Sequence, residues 1–120
     1  MLKFNTIMIG TKQLKTMADF YEGVLGKPAG MTDAESGFHG WDLGGFYFSI
    51  LEHSEMGGKT KDPGRIMVNF ETDDVKGEFA RVKALGATVV REPYEMGGGW
   101  ICTLADPDGN YFQLVSGMEM

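Results

Sequence analysis

Gly45-Phe46-Tyr47-Phe48-Ser49-Ile50-Leu51 is followed, 64 positions later, by Gly109-Asn110-Tyr111-Phe112-Gln113-Leu114-Val115. Tyrosine, phenylalanine, a polar residue and two aliphatic residues recur in the same order, and each run has the period of a β-strand. The likeness extends towards the N-terminus of each half. Asn5-Thr6-Ile7-Met8-Ile9 reads as a short strand, and a helix follows from about Lys12 to Leu25. In it Leu14, Met17, Ala18, Tyr21, Val24 and Leu25 recur at spacings of three and four. Arg65-Ile66-Met67-Val68-Asn69 is again a strand and Val75 to Leu85 again a helix. The helices end in Val24-Leu25-Gly26 and Ala84-Leu85-Gly86, each with glycine where a helix C-terminus accepts a left-handed residue. Chance similarity between halves would not preserve element order, helix-end glycines and final strands together, so the chain reads as two copies of a βαβββ module. The class is α+β in one domain over 1–120, with module 1 at about 1–56, a linker at about 57–63 and module 2 at about 64–117.

The turns agree with this division. Gly44-Gly45 suits a two-residue hairpin loop, because glycine adopts the positive φ that such loops require. Asp106-Pro107-Asp108-Gly109-Asn110 combines a φ-fixing proline, acids that bond nearby backbone, and a glycine for the left-handed position. A turn role for Asp106 and Asp108 outweighs a catalytic one. The eighteen glycines gather at 44–45, 57–58 and 97–99, between strand-like segments, as turns and loops do.

The ordered set of an N-terminal strand, a helix carrying Asp19-Phe20-Tyr21 and closing on Val24-Leu25-Gly26, and a late Asp-Pro-Asp-Gly-Asn before the last strand resembles the glyoxalase/bleomycin-resistance (vicinal oxygen chelate) superfamily. The resemblance spans essentially the whole chain. It implies a curved mixed sheet around a cavity, with helices outside, and a homodimer with pockets at or near the contact between protomers.

Strand alternation assigns faces within that expectation. Ile66, Val68, Phe70, Phe48, Ile50, Phe112 and Leu114 are expected against helices. Asn5, Ile7, Tyr47, Ser49, Leu51, Arg65, Met67, Asn69, Glu71, Tyr111, Gln113 and Val115 are expected to face the cavity. For 100–104 the pattern is ambiguous, and Trp100 and Cys102 are placed inside. The expected pocket lining is therefore Asn5, Ile7, Tyr47, Ser49, Arg65, Met67, Asn69, Trp100, Tyr111 and Gln113, with core packing an equal alternative for Trp100.

Metal-dependent members of the family hold a divalent ion with four inward residues, usually His or Glu, from the first and last strands of each module. The matching positions here are Asn5, Ser49, Arg65 and Gln113. Neutral amide and hydroxyl oxygens are weak donors, and an arginine offers none and carries positive charge. No metal and no cofactor is expected. His39 is expected to pair near Ile50 on the helix side and His53 to lie beyond the strand, too far apart in role to share an ion. Arg65 requires a partner, either Glu71 or Asp42 within the chain or the carboxylate or phosphate of a ligand. Cys102 reads as a small buried hydrophobe.

Composition bounds the rest. A net charge of −6 and scattered lysines exclude nucleic acid as a natural partner. No apolar run approaches the roughly 20 residues that span a bilayer, the N-terminus does not read as a signal peptide, and one cysteine suits a reducing compartment, so a cytoplasmic protein is expected. The leading reading is a metal-free small-molecule binder that sequesters or senses an organic or anionic compound. The alternatives are a metal-independent lyase or isomerase using Arg65 and Glu71, and a metal-dependent glyoxalase-like enzyme or dioxygenase.

Overall fold

Gly26 ends the first helix with φ 74°, and its amide donates to the Glu22 carbonyl at 2.9 Å. A computed structural model describes residues 1–117 and divides the chain into two units, Met1–Gly58 and a second that begins at Lys59. The first contains β1 (Thr6–Thr11), α1 (Leu14–Leu25), β2 (Met31–Asp33), β3 (Phe38–Asp42) and β4 (Tyr47–Glu52). The second contains β5 (Val68–Glu71), α2 (Val75–Ala84), β6 (Thr88–Met96), β7 (Gly99–Ala105) and β8 (Tyr111–Val115). Element order is thus βαβββ twice. The strands form two four-stranded mixed sheets, β1-β4-β3-β2 and β5-β8-β7-β6, one for each of the tandem modules expected. In each, the first strand runs parallel to the last and the other pairs are antiparallel.

Helix α1 begins after Gln13, whose amide donates to the Thr11 hydroxyl at 3.0 Å. Its periodic positions Met17, Ala18, Tyr21 and Val24 are buried. Tyr21 meets Phe48 at 4.7 Å between ring centroids, and Trp41 meets Phe48 at 5.9 Å. Phe48 and Ile50 are buried on that side of the sheet, as alternation predicts. Removing an aromatic from such a cluster costs about 3–5 kcal/mol. The Trp41 indole donates to the Lys27 carbonyl at 2.9 Å, so burying the ring leaves no orphaned donor. In the second unit Asp74 caps α2 by accepting from the Gly77 amide at 2.9 Å. Val75, Phe79 and Val82 supply the buried side of α2, and Phe112 and Leu114 are buried in β8.

The β3–β4 hairpin carries the expected loop. Leu43 donates to the Phe46 carbonyl at 2.9 Å, and Gly44 and Gly45 have φ of 86° and 115°. Asp106 is only 3% exposed. Its carboxylate accepts from the amides of Asp108 (2.9 Å) and Asn110 (3.0 Å) and from the Asn110 side chain, so it organises the turn into β8.

Candidate functional site

In each sheet one face packs on a helix, and register identifies the residues on the other. On β4 the opposite face carries Tyr47, Ser49 and Leu51, paired with Thr6, Met8 and Gly10 of β1 and with Asp42, Gly40 and Phe38 of β3. Gly40 admits the Phe38 ring and Met31: a Cβ there would lie 2.9 Å from the ring and 3.2 Å from the Met31 methyl. Over Gly10 a Cβ would lie 3.1 Å from Met56. This face is methionine- and aromatic-lined, with Ser49 buried in it.

The corresponding face of the second unit is polar. Asn69 of β5 pairs with Gln113 of β8, Gln113 with Thr103 of β7, and Thr103 with Arg91 of β6. These four side chains form a row at one level across all four strands. Gln113 Nε2 donates to Thr103 Oγ1 at 2.9 Å. The Arg91 guanidinium carbon lies 3.7 Å from the centroid of the Tyr94 ring. Glu71, Val115, Ile101 and Tyr94 form the adjoining row by the same pairing.

Several expectations change against this register. Ile7 pairs with Phe48 and so faces α1; Met8 is the β1 residue on the other side. Trp100 and Cys102 also lie on the helix side: Cys102 pairs with Leu114, and Lys76 of α2 sits 4.0 Å above the Trp100 ring. Strand β5 begins at Val68, so Arg65, Ile66 and Met67 precede it. Ile66 is 71% exposed instead of packed on a helix. Arg65 is exposed and 3.9 Å from Asp62, a turn neighbour that was not among the expected partners. Asn5 is exposed ahead of β1; its side chain accepts from Thr6 and its carbonyl from the Tyr47 amide at 2.8 Å. Tyr47, Ser49, Asn69, Tyr111 and Gln113 lie on the non-helical faces of their own sheets.

Register also revises the correspondence between copies. Ile7 and Val68 occupy equivalent places, partnering Phe48 and Phe112, so the counterpart of Asn5 is Ile66 and not Arg65. The matched couples are Met8 with Ser49 and Asn69 with Gln113. They offer a thioether, a hydroxyl and two neutral amides, one of them already bonded to Thr103. Zn²⁺, Fe²⁺ and Ni²⁺ prefer imidazole, thiolate or carboxylate, so neither couple, taken in its own sheet, fits a divalent ion. No group of three or more His, Cys, Asp or Glu suited to a metal occurs among the described residues. His39 pairs with Ile50, and His53 lies past β4, its Nδ1 accepting from the Glu55 amide at 3.2 Å.

Burial pushes the Cys102 thiol up, and a hydrogen bond from the Leu114 backbone offsets part of this. A buried thiol that holds its proton is a poor nucleophile. A surface depression of about 390 Å³ lies by the C-terminal end of α1, lined by Asp19, Glu22, Gly23, Gly26, Lys27 and Pro28.

Arg91, Thr103 and Tyr94 stand on this face and were missed by sequence alternation. Strand β6 shifts register between Val89 and Arg91 and again between Arg91 and Tyr94. Each bulge resets the two-residue period on which face assignment depends. Pro93 inside the strand was the visible sign of such an irregularity.

A family profile of the glyoxalase-like domain matches residues 6–115. A glyoxalase-related enzyme from Fulvimarina pelagi has 20% identity and a TM-score of 0.81, over 98% of this chain and 89% of that one. A glyoxalase/bleomycin resistance protein/dioxygenase family enzyme from Burkholderia phytofirmans has 25% identity and a TM-score of 0.73, over 96% and 98%. A lactoylglutathione lyase from Agrobacterium tumefaciens has 18% identity and a TM-score of 0.73, over 96% and 93%. No curated protein matches the sequence significantly.

Proposed function

The chain belongs to the glyoxalase-like domain family, and on that footing we propose that it binds a small organic molecule without using a divalent ion. The observation that carries the reading is the polar row Asn69, Gln113, Thr103 and Arg91 on the face of the second sheet that α2 does not cover. Ligand sites combine apolar walls with a few placed polar groups, and this row is flanked by Tyr94, Ile101 and Val115. The metal-free part of the reading is supported by the weak neutral donors at Met8, Ser49, Asn69 and Gln113.

Elemental analysis after incubation with excess Zn²⁺, Ni²⁺, Mn²⁺ or Fe²⁺ and desalting tests the metal-free half. Less than a tenth of an ion per chain is the expected result; one retained ion per chain sinks it. A fragment library followed by ligand-observed NMR tests binding, with mass spectrometry of the recovered fragments. Hits returned unchanged support sequestration or sensing, whereas turnover moves the protein to a metal-independent enzyme with Glu71 the available carboxylate on that face.

The same proposal includes a homodimer in the cytoplasm. Strands β1 and β5 are edges of their sheets, and Phe4, Met8, Ile66 and Met67 expose apolar surface near them. Native mass spectrometry reads the dimer directly. No helix among the described residues is long and apolar enough to cross a membrane.

A further inference from the structure

We propose that Arg91 is an anion-recognition residue and that the ligand of the second sheet carries a single carboxylate seated against its guanidinium; this rests on the binding function just proposed. The chain has three arginines and a net charge of −6. Arg81 pairs with Glu78 at 2.7 Å and Arg65 approaches Asp62 at 3.9 Å. Arg91 differs: among the described residues no carboxylate lies within ion-pair distance of it, and its partner is the Tyr94 ring at 3.7 Å. Arg91 thus keeps its hydrogen-bonding edge clear of the described carboxylates while its position is held by Tyr94.

Stacking uses the face of the guanidinium and leaves its in-plane N–H groups for an oxyanion, which a carboxylate accepts through two parallel hydrogen bonds. Register shifts on both sides of Arg91 are the kind of irregularity that re-aims a side chain within a strand. Thr103 stands opposite Arg91, and its hydroxyl is already fixed by Gln113, so the row presents an oriented set of polar groups beside the cation. Three strand spacings separate Asn69 from Arg91, about 14 Å, the reach of a one- or two-ring compound. Tyr94, Ile101 and Val115 give the body of such a molecule an apolar bed on the adjoining row.

Charge selects carboxylate over phosphate. Lys76 of α2 sits over Trp100 on the helix side, so Arg91 is the cation that the row itself carries. One guanidinium balances a monoanion and leaves a phosphate dianion half compensated.

The test uses the full chain and matched probes: benzoate, phenylacetate and indole-3-acetate beside benzamide, phenylacetamide and indole-3-acetamide. Affinities come from NMR titration, which also follows the Arg91 Nε–H resonance. At least one acid is expected to bind roughly tenfold or more tightly than its amide, as charged hydrogen bonds allow. That preference is expected to vanish in Arg91→Gln and to shrink in Arg91→Lys, which lacks the fork. Arg91 is exposed on an edge strand, so folding of both variants is expected and is checked by their amide spectra. Amides binding as well as acids, or acids binding Arg91→Gln as well as the parent, overturns the inference and leaves the binding function standing. If neither series binds, while other neutral fragments do, the inference falls alone; if nothing binds, both fall.

Discussion

The Gln113 side-chain amide donates to the Thr103 hydroxyl across 2.9 Å, joining β8 to β7 on the face that α2 does not cover. Thr103 is 6% exposed, so the bond sits in a shielded place although Gln113 itself is half-buried. Thr103→Val and Gln113→Leu should each lower stability by about 1 kcal/mol, and the double variant by little more than either alone. Urea denaturation of all four proteins checks this; strict additivity would show that the bond contributes nothing.

Neighbouring residues of β1 should respond oppositely to charge. Ile7 faces α1 through its pairing with Phe48, whereas Met8 is 55% exposed. Ile7→Asp should cost about 2 kcal/mol or more, because Ile7 is half-buried and an unpaired carboxylate would be set on the apolar, helix-side face of the sheet. Met8→Asp should stay within about 0.5 kcal/mol. Thermal unfolding decides it, and the reverse order would mean that the register of β1 is wrong by one residue.

Asp106 should matter to stability and not to ligand binding. Its buried carboxylate accepts from two backbone amides and one side chain of its own turn. Asp106→Ala should destabilise by about 2–3 kcal/mol, the scale of hydrogen bonds to a charged acceptor. Chemical denaturation measures the loss. Below the unfolding transition, fragment affinities should match those of the parent.

Cys102 should be chemically silent until the chain unfolds. It is 0% exposed, and burial raises its pKa above the ordinary 9.0. Native protein should react with a thiol-specific disulfide reagent far more slowly than protein in denaturant. The sign of the pH effect follows from the raised value. Below pH 9 both states keep the proton; above it the unfolded chain releases the proton first, so this contribution to stability declines as pH rises. Cys102→Ala should remove that alkaline component from a stability profile.

Much of the architecture was legible because it depends on short-range rules. The spacing from Leu14 to Leu25, Gly26 with its φ of 74°, and the turn at Asp106 to Asn110 are local solutions to local sterics and hydrogen bonding. The repeated Tyr-Phe pattern at 47–51 and 111–115 marked β4 and β8 and the faces of Phe48, Ile50, Phe112 and Leu114.

The candidate site was legible only in part. Tyr47, Ser49, Asn69 and Gln113 sat in uninterrupted alternation, so their faces followed from it. Ile7, Trp100 and Cys102 did not: Ile7 stands in an apolar run, and Trp100 to Cys102 offer apolar atoms on both sides.

The sequence by itself determined the order of elements, the helix ends and the turns, since each is settled within a dozen neighbouring residues, and the duplication, since it shows in the comparison of two such local patterns. Tertiary structure decided which β1 residue meets β4, where β5 starts and that Arg91 lies level with Thr103 and Gln113. Those facts depend on hydrogen bonds between strands remote in sequence. A single bulge or one-residue slip reverses them without altering the local pattern.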